Sequence, residues 1–354
     1  VAQAAAGLHH AVAGGHVGEG VLGYVLVFFA IWWAWMNFTW FASAYDSDDV
    51  PYRLLTLLQI AGVLLLAAGV PAAFEARDFA VVTAGYVLMR VAMVTQWLRV
   101  AHDDPAGRRV ALRYATGVTA CQSGWLALLA APQPWPPPGF VLLAAAELAV
   151  PIWAEHPGPR IAWHPGHIAE RYGLFTLIVL GESVLAATNT VQAAIAAGGL
   201  SAGLVAVAAG GLLLIFALWW SYFDRSAVEG LRRSAGSAFR WGYGHLLVFA
   251  CLAAVGAGLQ VAAQTVQHHA SLQPRGAALA LAVPTALYLA TIGMLHTLVN
   301  RHLGERPAAR YAAAAVLVVL AAAATPPLPL ALAVPLIGSL VAALVVTDLL
   351  RPAA

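Results

Sequence analysis

Three ionisable side chains interrupt long apolar runs: Arg90, Glu147 and Glu182. Each stands about 8 to 13 residues from the nearest end of its run, which at 1.5 Å per residue is a depth of ~12–20 Å, near the midplane of a ~30 Å hydrocarbon core. A charge facing lipid at that depth costs at least ~2.5–3.5 kcal/mol. The three side chains are therefore expected to face the interior of a helical bundle, with Arg90 pairing one of the glutamates. Two roles are open to such a trio. It can be a buried ion pair that fixes packing, or a central polar site for a small solute, an ion or a proton.

The run holding Glu182 carries further polar groups. At about 100° per residue, His167, Arg171 and Glu182 fall on one face of a helix, and Glu170 lies about 60° to the other side of His167. His167, Glu170 and Arg171 would then stand on the approach to a deeper carboxylate. Gly181, beside Glu182, is expected to allow close backbone approach by a neighbouring helix or a ligand. His164 and Pro165 read as a helix start, where Glu170 is also favoured by the dipole. The spacing His164-x-x-His167-x-x-Glu170 suits metal ligation near a helix start. Asp46, Asp48 and Asp49 follow one Trp-rich segment and Asp224 follows another. Gathered together, these groups could hold a divalent cation for phosphate or lipid chemistry, whereas acidic loop residues otherwise serve as caps and turns. Asn37, within the first Trp-rich segment, joins the candidate binding residues. Trp32, Trp33, Trp35, Trp40, Trp219 and Trp220 read as packing and interface residues. His245 and His296 suit either a proton route or hydrogen-bonded core positions.

Long helices must carry these groups. The chain is 61% hydrophobic and 10% charged over 354 residues, with a mean hydropathy of +0.79. A soluble domain holds about a quarter charged residues, so lipid is the solvent that fits. Apolar segments fall near 1–14, 20–44, 54–74, 79–101, 110–131, 139–154, 168–196, 202–223, 239–266, 277–300, 309–325 and 328–349. They lack the period-2 alternation of a β-barrel. The expected fold is an all-α polytopic bundle of about 11–12 transmembrane helices. It divides into an N-terminal half, 1–155, and a C-terminal half, 156–354. The first segment reads as the tail of an apolar helix, so a preceding stretch of chain is expected.

All eighteen basic residues are arginine. Fifteen fall in loops after even-numbered segments, among them Arg99, Arg108, Arg113, Arg160, Arg232, Arg310 and Arg351, against Arg77 and Arg275 on the opposite side. By the positive-inside rule the fifteen are cytoplasmic, as is the C-terminus, in a bacterial inner membrane. The segments ending at Asp46 and Asp224 resemble each other and lie six apart. That arrangement suggests two parallel six-helix repeats.

The stretch WHPGHIAERYGLFTLIVLGESVLAA, residues 163–187, resembles the bacterial low temperature requirement protein A (LtrA) family. So does WAWMNFTWFASAYDSDDVPYRLLTLLQIAGVLLLAAG, residues 33–69. Segment order and length are similar along essentially the whole chain. The resemblance implies a membrane location and a helical fold, and little chemistry. Family members open with an apolar helix bearing a phenylalanine-rich, aspartate-containing motif, which this chain lacks.

No P-loop, GxGxxG, GxSxG or CxxCH pattern is present, which disfavours nucleotide hydrolysis, dinucleotide redox chemistry, α/β-hydrolase chemistry and c-type haem. No cofactor is expected. The net charge of +2 and the absence of a basic run argue against nucleic acid as a partner. Membrane lipids, an unidentified small molecule or ion and a second copy of the chain are the expected partners. The leading expectation is a transporter-like protein with a central site of Glu182, Glu147 and Arg90. The rival is an integral-membrane enzyme acting on a lipid or isoprenoid at the cytoplasmic leaflet.

Overall fold

A computed structural model of the chain describes residues 1–132, 136–156, 162–196, 199–233, 235–301 and 306–350. Arg160 and Arg351 lie outside the described residues. Among the described residues there are only helices, and nine are long and apolar enough to cross a membrane. Helices are the form such a chain must take, since each satisfies its backbone polar groups internally where no water can. Large apolar side chains cover their outer faces: Leu64 is 67% exposed, Leu142 71% and Ile178 59%. Such surfaces aggregate in water and are at rest in lipid.

The helices form two compact units, and α2 (Val17–Ala44) contributes to both. The unit spanning Ala30–His164 holds the second half of α2 with α3 (Val50–Glu75), α4 (Ala80–Asp103), α5 (Arg108–Leu129) and α6 (Pro136–Glu155). Asp49 starts α3 by accepting the Tyr52 amide at 2.8 Å, with a proline in the first turn. Helices α3 and α4 touch backbone to backbone. A Cβ on Gly85 would lie 2.5 Å from the Leu66 nitrogen and 2.6 Å from the Gly62 oxygen. Small residues at such crossings allow the van der Waals contact that drives helix association in lipid. Buried Gln59 donates to Gln96 at 2.9 Å across the same pair. Trp97 of α4 stacks on Tyr114 of α5 with centroids 4.2 Å apart, and Phe41 meets Trp97 edge-on. The Tyr114 hydroxyl then donates to Glu155 at 2.9 Å, tying α5 to α6.

The second unit comprises residues 1–29 and 165–354. It holds α1 (Ala2–Ala13), the first half of α2, α7 (Pro165–Ala196), α8 (Ala202–Phe223), α9 (Val228–Arg233) and α10 (Ala235–Val266). It is completed by α11 (Pro274–Val299), α12 (Ala308–Ala323) and α13 (Leu330–Leu349). Helix α10 is the most enclosed, and its Ala250 carbonyl accepts the Tyr24 hydroxyl of α2 at 2.6 Å. Glycines again allow a close crossing: a Cβ on Gly210 of α8 would lie 2.5 Å from the Pro335 nitrogen of α13. Ser201 caps α8 through the Leu204 amide at 3.1 Å.

All twelve segments expected from the sequence are helices. Their ends fall within a few residues of the expected positions, and α8 coincides with 202–223. The added element is α9, six residues long, inside the loop after Asp224.

Candidate functional site

In the Ala30–His164 unit the deep charges meet as expected, and Glu147 is the partner. Arg90 on α4 donates to Glu147 Oε2 on α6 at 3.1 Å, and the side chains are 4% and 1% exposed. Two indoles complete the carboxylate's shell. Trp33 Nε1 of α2 donates to Oε2 at 2.7 Å, and Trp125 Nε1 of α5 donates to Oε1 at 3.3 Å. Arg90 also lies over the Tyr86 ring, 5.0 Å from its centroid. Four helices thus converge on one carboxylate that has little capacity left for a ligand. Trp33, expected as a packing residue, is buried and adds this interhelical bond. Asn37, one turn further along α2, donates back to the Trp33 carbonyl at 2.7 Å. Gln122, a turn before Trp125, is buried with neither amide atom bonded among the described residues.

Glu182 lies in the other unit, half-buried in the middle of α7. Gly181 beside it does not mark a close approach, because a Cβ there would meet nothing within 4 Å. The carboxylates that follow α2 each take a separate environment. Asp46 is exposed, Asp48 pairs with Arg53 at 2.9 Å, and Asp49 pairs with Arg99 while capping α3. The Arg53 hydrogen bond holds the Asp48 carboxyl below the usual carboxylate range. Arg99, and then the Tyr52 amide, does the same for Asp49. Helix α7 begins at Pro165, and the His164 amide is taken up by the Ser43 hydroxyl at 3.2 Å. No three His, Cys, Asp or Glu side chains converge as ligands among the described residues.

The second unit holds a cavity of about 350 Å³, within the size range of small-molecule sites. It lies where α7 and α10 begin and α8 and α11 end. Glu170 stands at its edge, while Tyr222, Arg225, His245, His296 and Asn300 line it. His245 is fully buried. Its Nδ1 lies 2.7 Å from the Trp241 carbonyl, which can only accept, so Nδ1 carries the hydrogen and Nε2 accepts the Tyr222 hydroxyl at 3.1 Å. His296 donates to the Tyr222 carbonyl, and its Nδ1 has no hydrogen-bond partner among the described residues. That bond therefore runs from Nε2 and leaves Nδ1 as an unfilled acceptor.

Charge surrounds the polar end of the cavity. Asp224, the C-cap of α8, is 3.4 Å from Arg225, and Asp348 of α13 is 3.6 Å from Arg225 and 2.7 Å from Arg310. Glu170 shares its side of α7 with Leu174 and Leu177, which also line the cavity. His167, Arg171 and Glu182 lie about 60–120° further around the helix. Of the approach residues expected from sequence, only Glu170 reaches the cavity wall. Asp348, missed in the sequence, sits in a Leu- and Val-rich last helix, where a lone carboxylate is itself the signal for a buried arginine partner.

Long apolar helices, lipid-suited outer faces and buried charge clusters define an all-α, multi-pass membrane protein. Residues 1–348 match the family model for the bacterial low temperature requirement A protein (LtrA), and the chain belongs to that family. It is also similar to a Rhizobium meliloti (strain 1021) protein named "Uncharacterized protein RA0937", with 26% identity over 255 residues. That match covers 63% of this chain and 57% of the relative, so the chain spans little more than half of the relative's length. No solved structure matches.

Proposed function

We propose that the protein carries a small solute or ion across the bacterial inner membrane, and that the cavity among α7, α8, α10 and α11 is its binding site. The observation that carries this reading is the cavity itself. A charged rim at Glu170 leads to open volume bounded by buried imidazoles, one with a vacant acceptor. Buried polar groups left without partners are costly, and a ligand that supplies the missing donor relieves the cost. Arg171, Arg225, Arg240 and Arg301, at the ends of these helices, support a cytoplasmic side for this site under the positive-inside rule. The Arg90–Glu147 cluster, with its carboxylate already holding three donors, serves as the scaffold of the other unit.

A second reading, an enzyme acting on a lipid-like substrate, is favoured by one observation: Leu174, Leu177 and Phe223 line the cavity and are also exposed on its apolar flank. A strain lacking the gene, tested for growth in the cold as the family's name suggests, provides the functional assay. Complementation by the parent and failure by Glu170→Gln and by His296→Leu, each present at parental level in the membrane, is the expected result. Full complementation by both variants would remove the cavity from function.

A further inference from the structure

The wall of this cavity is uneven in chemistry, and the unevenness specifies a ligand. Glu170 and Arg225 line it with one charge of each sign, and Asp224 and Asp348 stand beside Arg225, the latter also paired with Arg310. Arg225 is flanked by two of the carboxylates, so its attraction for an anion is offset. Two acceptors face a ligand without competition from an internal donor. One is the vacant Nδ1 of His296, which is 5% exposed; the other is the exposed carboxylate of Glu170, which makes no ion pair among the described residues. Tyr222, Phe223 and Trp241 add aromatic rings to the lining, surfaces that attract cations through their quadrupoles. Ser226 and Asn300 add polar groups, and the rest of the wall is apolar with an exposed flank: Leu174 is 51% exposed, Leu177 45% and Phe223 40%. A ligand held here meets acceptors and rings at one end and an opening to hydrocarbon at the other.

We infer that the cavity binds an amphiphilic ammonium, a protonated amine carrying a hydrocarbon tail, which reaches it sideways from the membrane between α7 and α8. The ammonium donates to Glu170 and His296 Nδ1 and lies against the aromatic wall. The tail runs along Leu174, Leu177 and Phe223 toward lipid. A phosphate head of the same size would meet Glu170 with like charge and would leave the His296 acceptor empty. The inference rests on the cavity being the ligand site, and binding can be measured whether or not transport follows.

The test uses the full chain in lipid nanodiscs, with radiolabelled dodecylamine or dodecyl phosphate far below micelle-forming concentration and empty nanodiscs as the blank. Saturable binding of dodecylamine is expected, with dodecyl phosphate at least ~10-fold weaker, a difference of about 1.4 kcal/mol. Glu170→Gln, at an exposed position that leaves the fold intact, should weaken dodecylamine ~10-fold, and Phe223→Leu should weaken it several-fold. Glu229→Gln, which removes the exposed partner of Arg233 outside the cavity lining, should leave binding unchanged. Dodecyl phosphate binding as tightly as the amine, binding unaffected by Glu170→Gln, or no saturable binding above the blank would each overturn the inference. If dodecylamine binds as described but no solute crosses the membrane, the transport reading fails and the ligand assignment stands.

Discussion

Glu147→Gln is the most informative single change in the Ala30–His164 unit. The carboxylate accepts Trp33, Trp125 and Arg90 at 2.7, 3.3 and 3.1 Å, and the glutamine amide can replace an oxygen for the indoles but not the charge opposite Arg90. Arg90 is 4% exposed, so the variant strands a buried guanidinium, a loss of ~3–5 kcal/mol. Removing the stranded charge as well, in Arg90→Met with Glu147→Gln, should recover about half of that. The coupling between the two sites should therefore be ~2 kcal/mol or more. Trp33→Phe deletes one bond to a charged acceptor and should cost ~1.5–3 kcal/mol. The assay is reversible unfolding by dodecyl sulfate in mixed micelles, followed by helical circular dichroism. A Glu147→Gln variant within ~1 kcal/mol of the parent would refute the scaffold assignment, as would additive behaviour in the double variant.

Three further outcomes follow from the same geometry. Gly85→Ala should destabilise by ~1–3 kcal/mol, since the new Cβ would sit 2.5 Å from the Leu66 nitrogen, whereas Gly181→Ala, in open space, should be neutral or stabilising; thermal unfolding of both variants checks this. Asp49 is held below its ordinary range by Arg99 and the Tyr52 amide, so its contribution is present at neutral pH and is lost as pH falls below about 4; thermal midpoints of Asp49→Asn and the parent should differ at pH 7 and converge in acid. Cysteines placed at Arg108 and Arg232, both exposed, should resist a membrane-impermeant thiol reagent added outside intact cells and react in opened ones; labelling from outside would reverse the orientation read from the arginines.

The spans were legible because a ~30 Å apolar core demands long, unbroken apolar runs, and only Pro, Gly and charge interrupt them. The short α9 was not, since six residues in a charged loop carry too little periodicity to announce a helix. The pairing of Arg90 was legible from cost alone, but its choice between two glutamates depends on tertiary placement, and Glu182 turned out to lie in the other unit. The packing role of Trp33 was legible but its bond to Glu147 was not, because an indole carries its apolar ring and its donor in one side chain. The cavity was the least legible feature. Its residues come from four helices spread over more than a hundred positions, and His245 and His296 read equally well as core histidines because only the fold brings both to Tyr222.

Transport through the cavity is tested most directly in proteoliposomes loaded with an isotopically labelled extract of small bacterial metabolites. Mass spectrometry then compares what remains inside with the parent protein, with Glu170→Gln, with His296→Leu and with lipid alone. The account predicts at least one species that leaves the parent liposomes chemically unchanged, and that both variants retain as lipid alone does. Identical retention in all four preparations would contradict it, and a species that vanishes only to reappear chemically altered would favour the enzyme instead.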